Sequence, residues 1–201
     1  ILISALINLV QEEFGIVTIP PLEENNLIQF FYVSLAPLLE EFGFRIILLG
    51  VPLFVLYSRR TSIKYFIRCL WTPSTLDIFD SKRAIFLIIF IGILFGFAHI
   101  AFGESWSEGK FAQASVGGII LGWVYLKYGF VASLLIHWAT NYFVFSYANF
   151  IAQINFISID TAFSHSLMSS LEILLLLSGV LSITVLLVQK FYTKKESNLE
   201  I

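Results

Sequence analysis

Five ionisable side chains lie inside apolar stretches of the sequence: Glu40, Glu41, Arg45, His99 and His137. A charged group at the centre of a bilayer costs about 2.5–3.5 kcal/mol on insertion scales, so each of them needs a reason to be there. Carboxylates and imidazoles transfer protons in many enzymes, and side-chain N–H groups can stabilise an oxyanion. The set therefore indicates general acid–base chemistry in a water-filled pocket.

Helical spacing predicts how these groups are arranged. Glu41 and Arg45 are four residues apart and share one helix face, where opposite charges pair, whereas Glu40 is rotated by about 100° and can face a cavity. His137 has the same four-residue spacing to Asn141. Each feature alone fits a structural role as well, because an ion pair or a histidine in an apolar helix is often a packing element. The coincidence of two carboxylates, two imidazoles and an amide on three helices favours a site.

The composition indicates the elements that must position these groups. Of the 201 residues, 58% are hydrophobic and 13% are charged, whereas soluble domains carry about 25% charged residues. A net charge of −2 without a basic stripe argues against a nucleic-acid partner. Crossing a hydrocarbon core of about 30 Å takes about 20 helical residues. We therefore predict an all-α, polytopic transmembrane bundle with five complete spans and a partial N-terminal helix, at residues 1–10 (partial), 27–57, 84–102, 111–126, 130–150 and 171–188.

The predicted bundle forms one integral membrane domain over residues 1–201, with a polar C-terminal tail at 189–201. Gly50 and Pro52 are expected to kink or end the first complete span. The pairs Gly92/Gly96 and Gly118/Gly122 follow the G-x-x-x-G pattern of closely packed membrane helices.

Basic residues in the connections predict the orientation. Ten of the 12 Lys and Arg residues lie in alternate connections and the C-terminal tail, and cytoplasmic loops are enriched in such residues. Lys110 lies in the opposite set of connections, and Arg45 lies within a span. We therefore predict a protein of the cell membrane with a cytoplasmic C-terminus.

Three short motifs resemble those of a known family. Glu40-Glu41-Phe42-Gly43-Phe44-Arg45 fits E-E-x-x-x-R, Phe95-Gly96-Phe97-Ala98-His99 fits F-x-x-x-H, and His137-Trp138-Ala139-Thr140-Asn141 fits H-x-x-x-N. In this order, on separate predicted helices, they are similar to the CPBP family of intramembrane proteases. This Abi-type family of CAAX-processing and bacteriocin-processing endopeptidases is related to the type II CAAX prenyl endopeptidases. The resemblance covers a core at about residues 27–150.

The resemblance implies an endopeptidase and a role for each motif residue. Glu40 and His99 would activate a water that attacks the scissile carbonyl, and His137 and Asn141 would stabilise the oxyanion. Glu41, Arg45 and Phe95 would hold these groups in position. The substrate would be a peptide or protein, lipidated or not, that arrives through the lipid membrane; the sequence indicates no other membrane partner.

Three alternatives stay open at this point. We expect no cofactor, but Glu40, His99 and His137 could bind Zn²⁺, although the H-E-x-x-H spacing of many zinc proteases is absent. A catalytically silent scaffold or chaperone-like subunit could hold a partner in the same pocket. A small transporter could use Glu40 and Glu41 as a coupling site, although no paired half-chain repeat of the kind common in transporters is visible.

Overall fold

A computed structural model describes residues 2–16, 18, 25–60, 62–78, 81–102 and 106–197 as helices and their connections. No strand occurs among these residues, which confirms the all-α prediction. Parts of the predicted connections, and of the C-terminal tail beyond residue 197, lie outside the described residues. The described helices are α1 (Leu2–Glu13), α2 (Asn26–Glu41), a π-helical segment (Phe42–Gly50), α3 (Val51–Tyr57), α4 (Ile63–Trp71), a 3₁₀ turn (Pro73–Thr75), α5 (Ser81–Ala101), α6 (Lys110–Tyr128), α7 (Phe130–Asn155), α8 (Ile159–Phe163) and α9 (Ser166–Ser197).

The chain divides into two compact units, which are described separately. The larger unit, residues 7–147, contains α2 to α6, the first part of α7 and every predicted site residue. The smaller unit combines residues 1–6 with residues 148–201 and holds α8 and α9. Helix α9 continues to Ser197, beyond the predicted end of the last span, because Lys, Glu and Gln in the tail are good helix formers. The single-domain prediction stays a prediction.

Two described stretches are long and apolar enough to cross a membrane, Ser81–Ala101 and Ile159–Phe191. The predicted count of five complete spans is therefore not confirmed. The stretch predicted at 27–57 is helical throughout, but it is divided into α2, the π-helical segment and α3, each of which is shorter than a span.

The π-helical segment follows directly after the two glutamates. Its hydrogen bonds skip one residue more than those of an α-helix, as in the bond from the Val51 N–H to the Ile46 carbonyl. Gly50 and Pro52 lie where the π-helical segment passes into α3. The helix does not end there, which was one of the two outcomes that the sequence predicted. Single π-helical turns are frequent at functional sites, since the extra residue re-aims the side chains of the turn.

Helices α5 and α6 pack closely through the two predicted glycine pairs. A Cβ atom on Gly92 would lie 2.8 Å from the backbone nitrogen of Ile119, and one on Gly118 would lie 3.1 Å from the Cα of Gly92. A Cβ on Gly96 would lie 2.9 Å from the backbone nitrogen of Ser115. The close-packing prediction is confirmed. It brings the end of α5 that carries His99 beside the start of α6.

The turn between α6 and α7 depends on one glycine. Gly129 has a φ of 91°, a backbone conformation that residues with a Cβ atom rarely adopt. A Cβ there would also lie 2.8 Å from the Trp71 carbonyl oxygen. The Tyr125 hydroxyl donates to the Leu70 carbonyl over 2.7 Å and ties α6 to α4. These contacts, together with a buried apolar cluster that includes Leu49 and Leu53, fix α6 and α7 relative to the glutamate-bearing helix.

Candidate active site

The carboxylate of Glu40 faces two imidazoles. Its Oε2 atom lies 3.8 Å from Nε2 of His99 and 3.7 Å from Nε2 of His137. Both distances exceed a direct hydrogen bond, so Glu40 faces the two imidazoles without bonding to either. Oε2 is itself buried and has no hydrogen-bond partner among the described residues. The three side chains therefore surround a polar gap that can accept a water or a reacting atom.

The backbone sets the tautomer of His99. Its Nδ1 lies 2.9 Å from the Phe95 carbonyl oxygen, one helical turn earlier. A carbonyl oxygen only accepts hydrogen bonds, so Nδ1 carries the proton and donates it. In the neutral ring, Nε2 then keeps its lone pair on the side of Glu40. His99 can accept a hydrogen bond, or a proton, from a molecule in the gap.

His137 is held by the second glutamate. Its Nδ1 donates to Oε1 of Glu41 over 3.0 Å, and its ring is 8% exposed. This bond turns Nε2 towards Glu40, because the two nitrogens lie on opposite sides of the imidazole ring. Such carboxylate–histidine pairs fix the orientation of the ring.

Glu41 lies at the centre of a buried network. Its side chain is fully buried and accepts from Arg45 Nε over 3.0 Å, as the four-residue spacing predicts. It also accepts a short hydrogen bond from the Ser133 hydroxyl, which lies 3.1 Å from the Leu121 carbonyl as well. With His137 as the third donor, the Glu41 carboxylate is well compensated for its loss of water.

Phe95 contacts three of the charged or titratable groups. The centroid of its ring lies 4.6 Å from that of His99, 5.7 Å from that of His137 and 5.1 Å from the Arg45 guanidinium carbon. The ring is almost completely buried. Phe95 therefore separates Arg45 from the gap at Glu40 and limits the rotation of both imidazoles.

Asn141 stands one turn after His137 on α7 and is part-buried. Within the described part of the chain, no hydrogen bond joins its amide to Glu40, His99 or His137. The structure thus brings together Glu40, Glu41, Arg45, Phe95, His99 and His137, and it places Asn141 beside them on the helix without a direct contact.

A cavity of about 240 Å³ adjoins the gap and has room for several water molecules. Its walls combine polar and aromatic groups: Glu40, Phe44, Ala98, His99, Phe102 and Trp106. The backbone N–H of Trp106 donates to the His99 carbonyl oxygen over 3.1 Å, which holds Trp106 beside the end of α5. The cavity offers a polar reaction centre next to an apolar wall.

Sequence reasoning missed three contributors to this region. Ser133 precedes His137 by four residues, so Ser133, His137 and Asn141 share one face of α7, and this spacing is a signal that could have identified the serine. Trp106 and Lys110 lie in or beside the connection between α5 and α6. Their approach to the site depends on how that connection folds, and no motif marks it.

The site does not fit a metal ion well. Among the described residues, no group of three His, Cys, Asp or Glu side chains is arranged to hold one. One carboxylate that could have contributed, Glu41, is already bonded to Arg45, Ser133 and His137. Zinc binding by Glu40, His99 and His137 stays an untested alternative.

The family described as type II CAAX prenyl endopeptidase, Rce1-like, matches residues 23–143, which is more than half of the chain. The chain belongs to this family. The match extends from the residues before α2 to just beyond Asn141 and includes the entire gap around Glu40. No curated protein and no solved structure matches the chain.

Membership of the Rce1-like family establishes the general class of the protein. It is a membrane protein of a peptidase family, and its substrates are membrane-associated peptides. The predicted resemblance to the CPBP proteases is thereby confirmed.

Proposed function

We propose that this Rce1-like protein is an intramembrane endopeptidase that hydrolyses a peptide bond with a water activated by Glu40 and His99. The observation that supports the proposal most is the gap between one carboxylate oxygen and two imidazole nitrogens, at 3.7 and 3.8 Å. A water there would lie within hydrogen-bond reach of a base and of a second acceptor, as general base catalysis requires.

In the attack step, the water oxygen bonds to the scissile carbonyl carbon and one water proton passes to the Glu40 carboxylate. The other water hydrogen points at Nε2 of His99, which the Phe95 carbonyl keeps available as an acceptor. When the carbon–nitrogen bond then breaks, Glu40 returns its proton to the leaving amine. The products are a new carboxyl terminus and a free amine, and Glu40 regains its starting state.

His137 and Asn141 would stabilise the oxyanion of the tetrahedral intermediate. His137 donates from Nδ1 to Glu41, so it can donate from Nε2 only as the imidazolium. The Asn141 amide would supply the second donor after a small side-chain rotation.

The test uses the purified 201-residue chain in lipid vesicles and peptides that end in a prenylated cysteine followed by three residues, as in a C-terminal CAAX sequence. Mass spectrometry should show one cut with the wild type. His99→Ala should lower kcat by about 10²- to 10⁴-fold, and Asn141→Ala by about 10²- to 10³-fold. His165→Ala is the matched control, because His165 lies in the smaller unit and belongs to no motif.

Two outcomes would replace the proposal. If a chelator abolished cleavage and Zn²⁺ restored it, a metal mechanism would hold instead. If folded wild type cut none of the peptides while the alanine variants still bound them as the wild type does, the scaffold alternative would hold.

We also propose the cell membrane as the location, with a cytoplasmic C-terminus. The distribution of basic residues supports this orientation. A reporter enzyme that is active only in the cytoplasm, fused after Ile201, should be active; an inactive reporter on a stable, membrane-inserted fusion would reverse the orientation.

A further inference from the structure

Lys110 follows Trp106, a residue of the cavity wall, by four positions. It is the first residue of α6, and its amino nitrogen lies 3.7 Å from the centroid of the Trp106 ring. Trp106 itself lines the cavity together with Glu40 and His99. Only one aromatic ring therefore stands between the lysine and the cavity that adjoins the reaction centre.

The segment that carries Lys110 is anchored on both sides. The Gln11 side chain donates to the Gly109 carbonyl over 2.9 Å. The Gln113 amide donates to Asn8 Oδ1 over 3.1 Å and to Thr18 Oγ1 over 3.0 Å. These long-range bonds hold the start of α6 in place and thereby fix the backbone of Lys110. A fixed backbone lowers the entropic cost of binding a ligand there.

The lysine charge acts on the reaction centre. The positive charges of Lys110 and Arg45 both act on the Glu40 carboxylate. Burial lowers the pKa of Lys110, which precedes the predicted span, to about 8, and the charge of Glu40 acts in the opposite direction. Lys110 is thus a cation at neutral pH. Among the described residues it has no ion-pair partner, and its amino group packs on an aromatic face instead.

Arg45, the other cation near Glu40, is a poor candidate for contact with a ligand. Its side chain is fully buried, its Nε is bonded to Glu41, and the Phe95 ring lies against its guanidinium. A ligand in the cavity would have to displace Phe95 to reach it. The lysine side chain has four rotatable bonds and needs only to slide past the edge of the Trp106 ring.

We infer that Lys110 binds the C-terminal carboxylate of the peptide substrate and so selects substrates that are cut near their C-terminus. The inference rests on the proposed peptidase function. A CAAX sequence ends three residues after its cysteine, and three extended residues span about 10 Å. The aromatic side chains of Phe44, Phe102 and Trp106 would contact the apolar residues of that tripeptide. The amino group of Lys110 would bind the carboxylate at its end.

The experiment compares two forms of one prenylated peptide, with a free C-terminal carboxylate or with a C-terminal amide, under the conditions of the cleavage assay. The wild type should prefer the acid form by about 10- to 100-fold in kcat/KM, as expected for a charge-assisted hydrogen bond. Lys110→Gln should raise KM for the acid peptide by a similar factor, so that the ratio of kcat/KM between the acid and amide peptides falls to about 1. A change in kcat that comes from the lost charge near Glu40 affects both peptides and cancels in this ratio. Lys110→Arg should keep most of the preference.

Lys127→Gln is the matched control. Lys127 lies at the other end of the same helix, with its amino nitrogen 5.0 Å from the centroid of the Trp123 ring, so it reproduces the loss of a lysine–tryptophan contact away from the cavity. It should keep the wild-type preference.

Several results would overturn the inference. Equal cleavage of both peptides by the wild type would do so without any variant, even if Lys110→Gln failed to fold. A variant that lost both peptides equally, or that kept the preference, would show that Lys110 has no role in carboxylate binding. In all these cases the wild type still cuts the peptides, whereas failure of the proposed function would leave both peptides uncut by the wild type.

Discussion

Replacing Ser133 with alanine removes one of the three donors to the buried Glu41 carboxylate. The hydroxyl has a single hydrogen, so the loss is one charge-assisted hydrogen bond, worth about 1.5–3 kcal/mol of stability. Arg45 and His137 still compensate the charge. The loss should therefore be smaller than the roughly 3–5 kcal/mol expected when Arg45→Ala breaks the buried ion pair itself.

The same substitution should also affect catalysis, because Glu41 positions His137. We expect kcat to fall about tenfold with KM unchanged, as for an interaction made mainly in the transition state. This is less than the loss expected on removing a catalytic group. Thermal unfolding in one detergent and steady-state cleavage of the prenylated peptide measure the two effects.

Ser115→Ala provides the matched control. Ser115 is a buried serine on α6 whose hydroxyl has no partner among the described residues. Its replacement should cost little or even stabilise, since no hydrogen bond is lost. If Ser133→Ala matched Ser115→Ala in both unfolding temperature and kcat, the role assigned to the Glu41 network would be refuted.

Two further predictions concern packing and charge. Gly92→Ala should lower the unfolding temperature, because its Cβ would lie 2.8 Å from a backbone nitrogen of α6. Gly117→Ala is the control and should be neutral or stabilising, because nothing lies within 4 Å of its Cβ. Equal effects of the two substitutions in a thermal melt would contradict the close packing of α5 and α6. The preference for the acid over the amide peptide should decline as pH rises through about 8, the pKa of Lys110, because the charged form exists below that value. Glu40 and His99 also titrate near the lysine, but they act on both peptides, so the ratio of the two kcat/KM values reports only the charge of Lys110. A ratio that stayed constant from pH 6 to pH 10 would contradict the role of Lys110 in carboxylate binding.

The sequence predicted the contacts that lie within one helix. The Glu41–Arg45 pair, the position of Phe95 one turn before His99, and the glycine pairs all follow from helical periodicity, which is fixed locally. The π-helical segment was not predicted, because one extra residue in a helical turn leaves no recognisable pattern of apolar and polar residues in the sequence.

The contacts between helices could be predicted only in part. Shared polarity inside apolar stretches indicated that Glu40, His99, His137 and Asn141 would converge. The first three do, whereas no hydrogen bond among the described residues joins Asn141 to them, because spacing on single helices does not determine which atoms meet. The bond of His137 to Glu41, the donation by Ser133 and the approach of Trp106 to the cavity depend on the relative rotation of α2, α5, α6 and α7. Those rotations are set by packing over the whole unit.

The central claim is that Glu40 activates the water that cuts the substrate. The most direct measurement is kcat/KM of Glu40→Gln, which keeps the size and removes the base, with Glu13→Gln as a control on an exposed glutamate. Unfolding temperatures should show that both variants are folded. We predict a loss of at least about 10²-fold for Glu40→Gln and none for Glu13→Gln; wild-type cleavage by folded Glu40→Gln would contradict the claim.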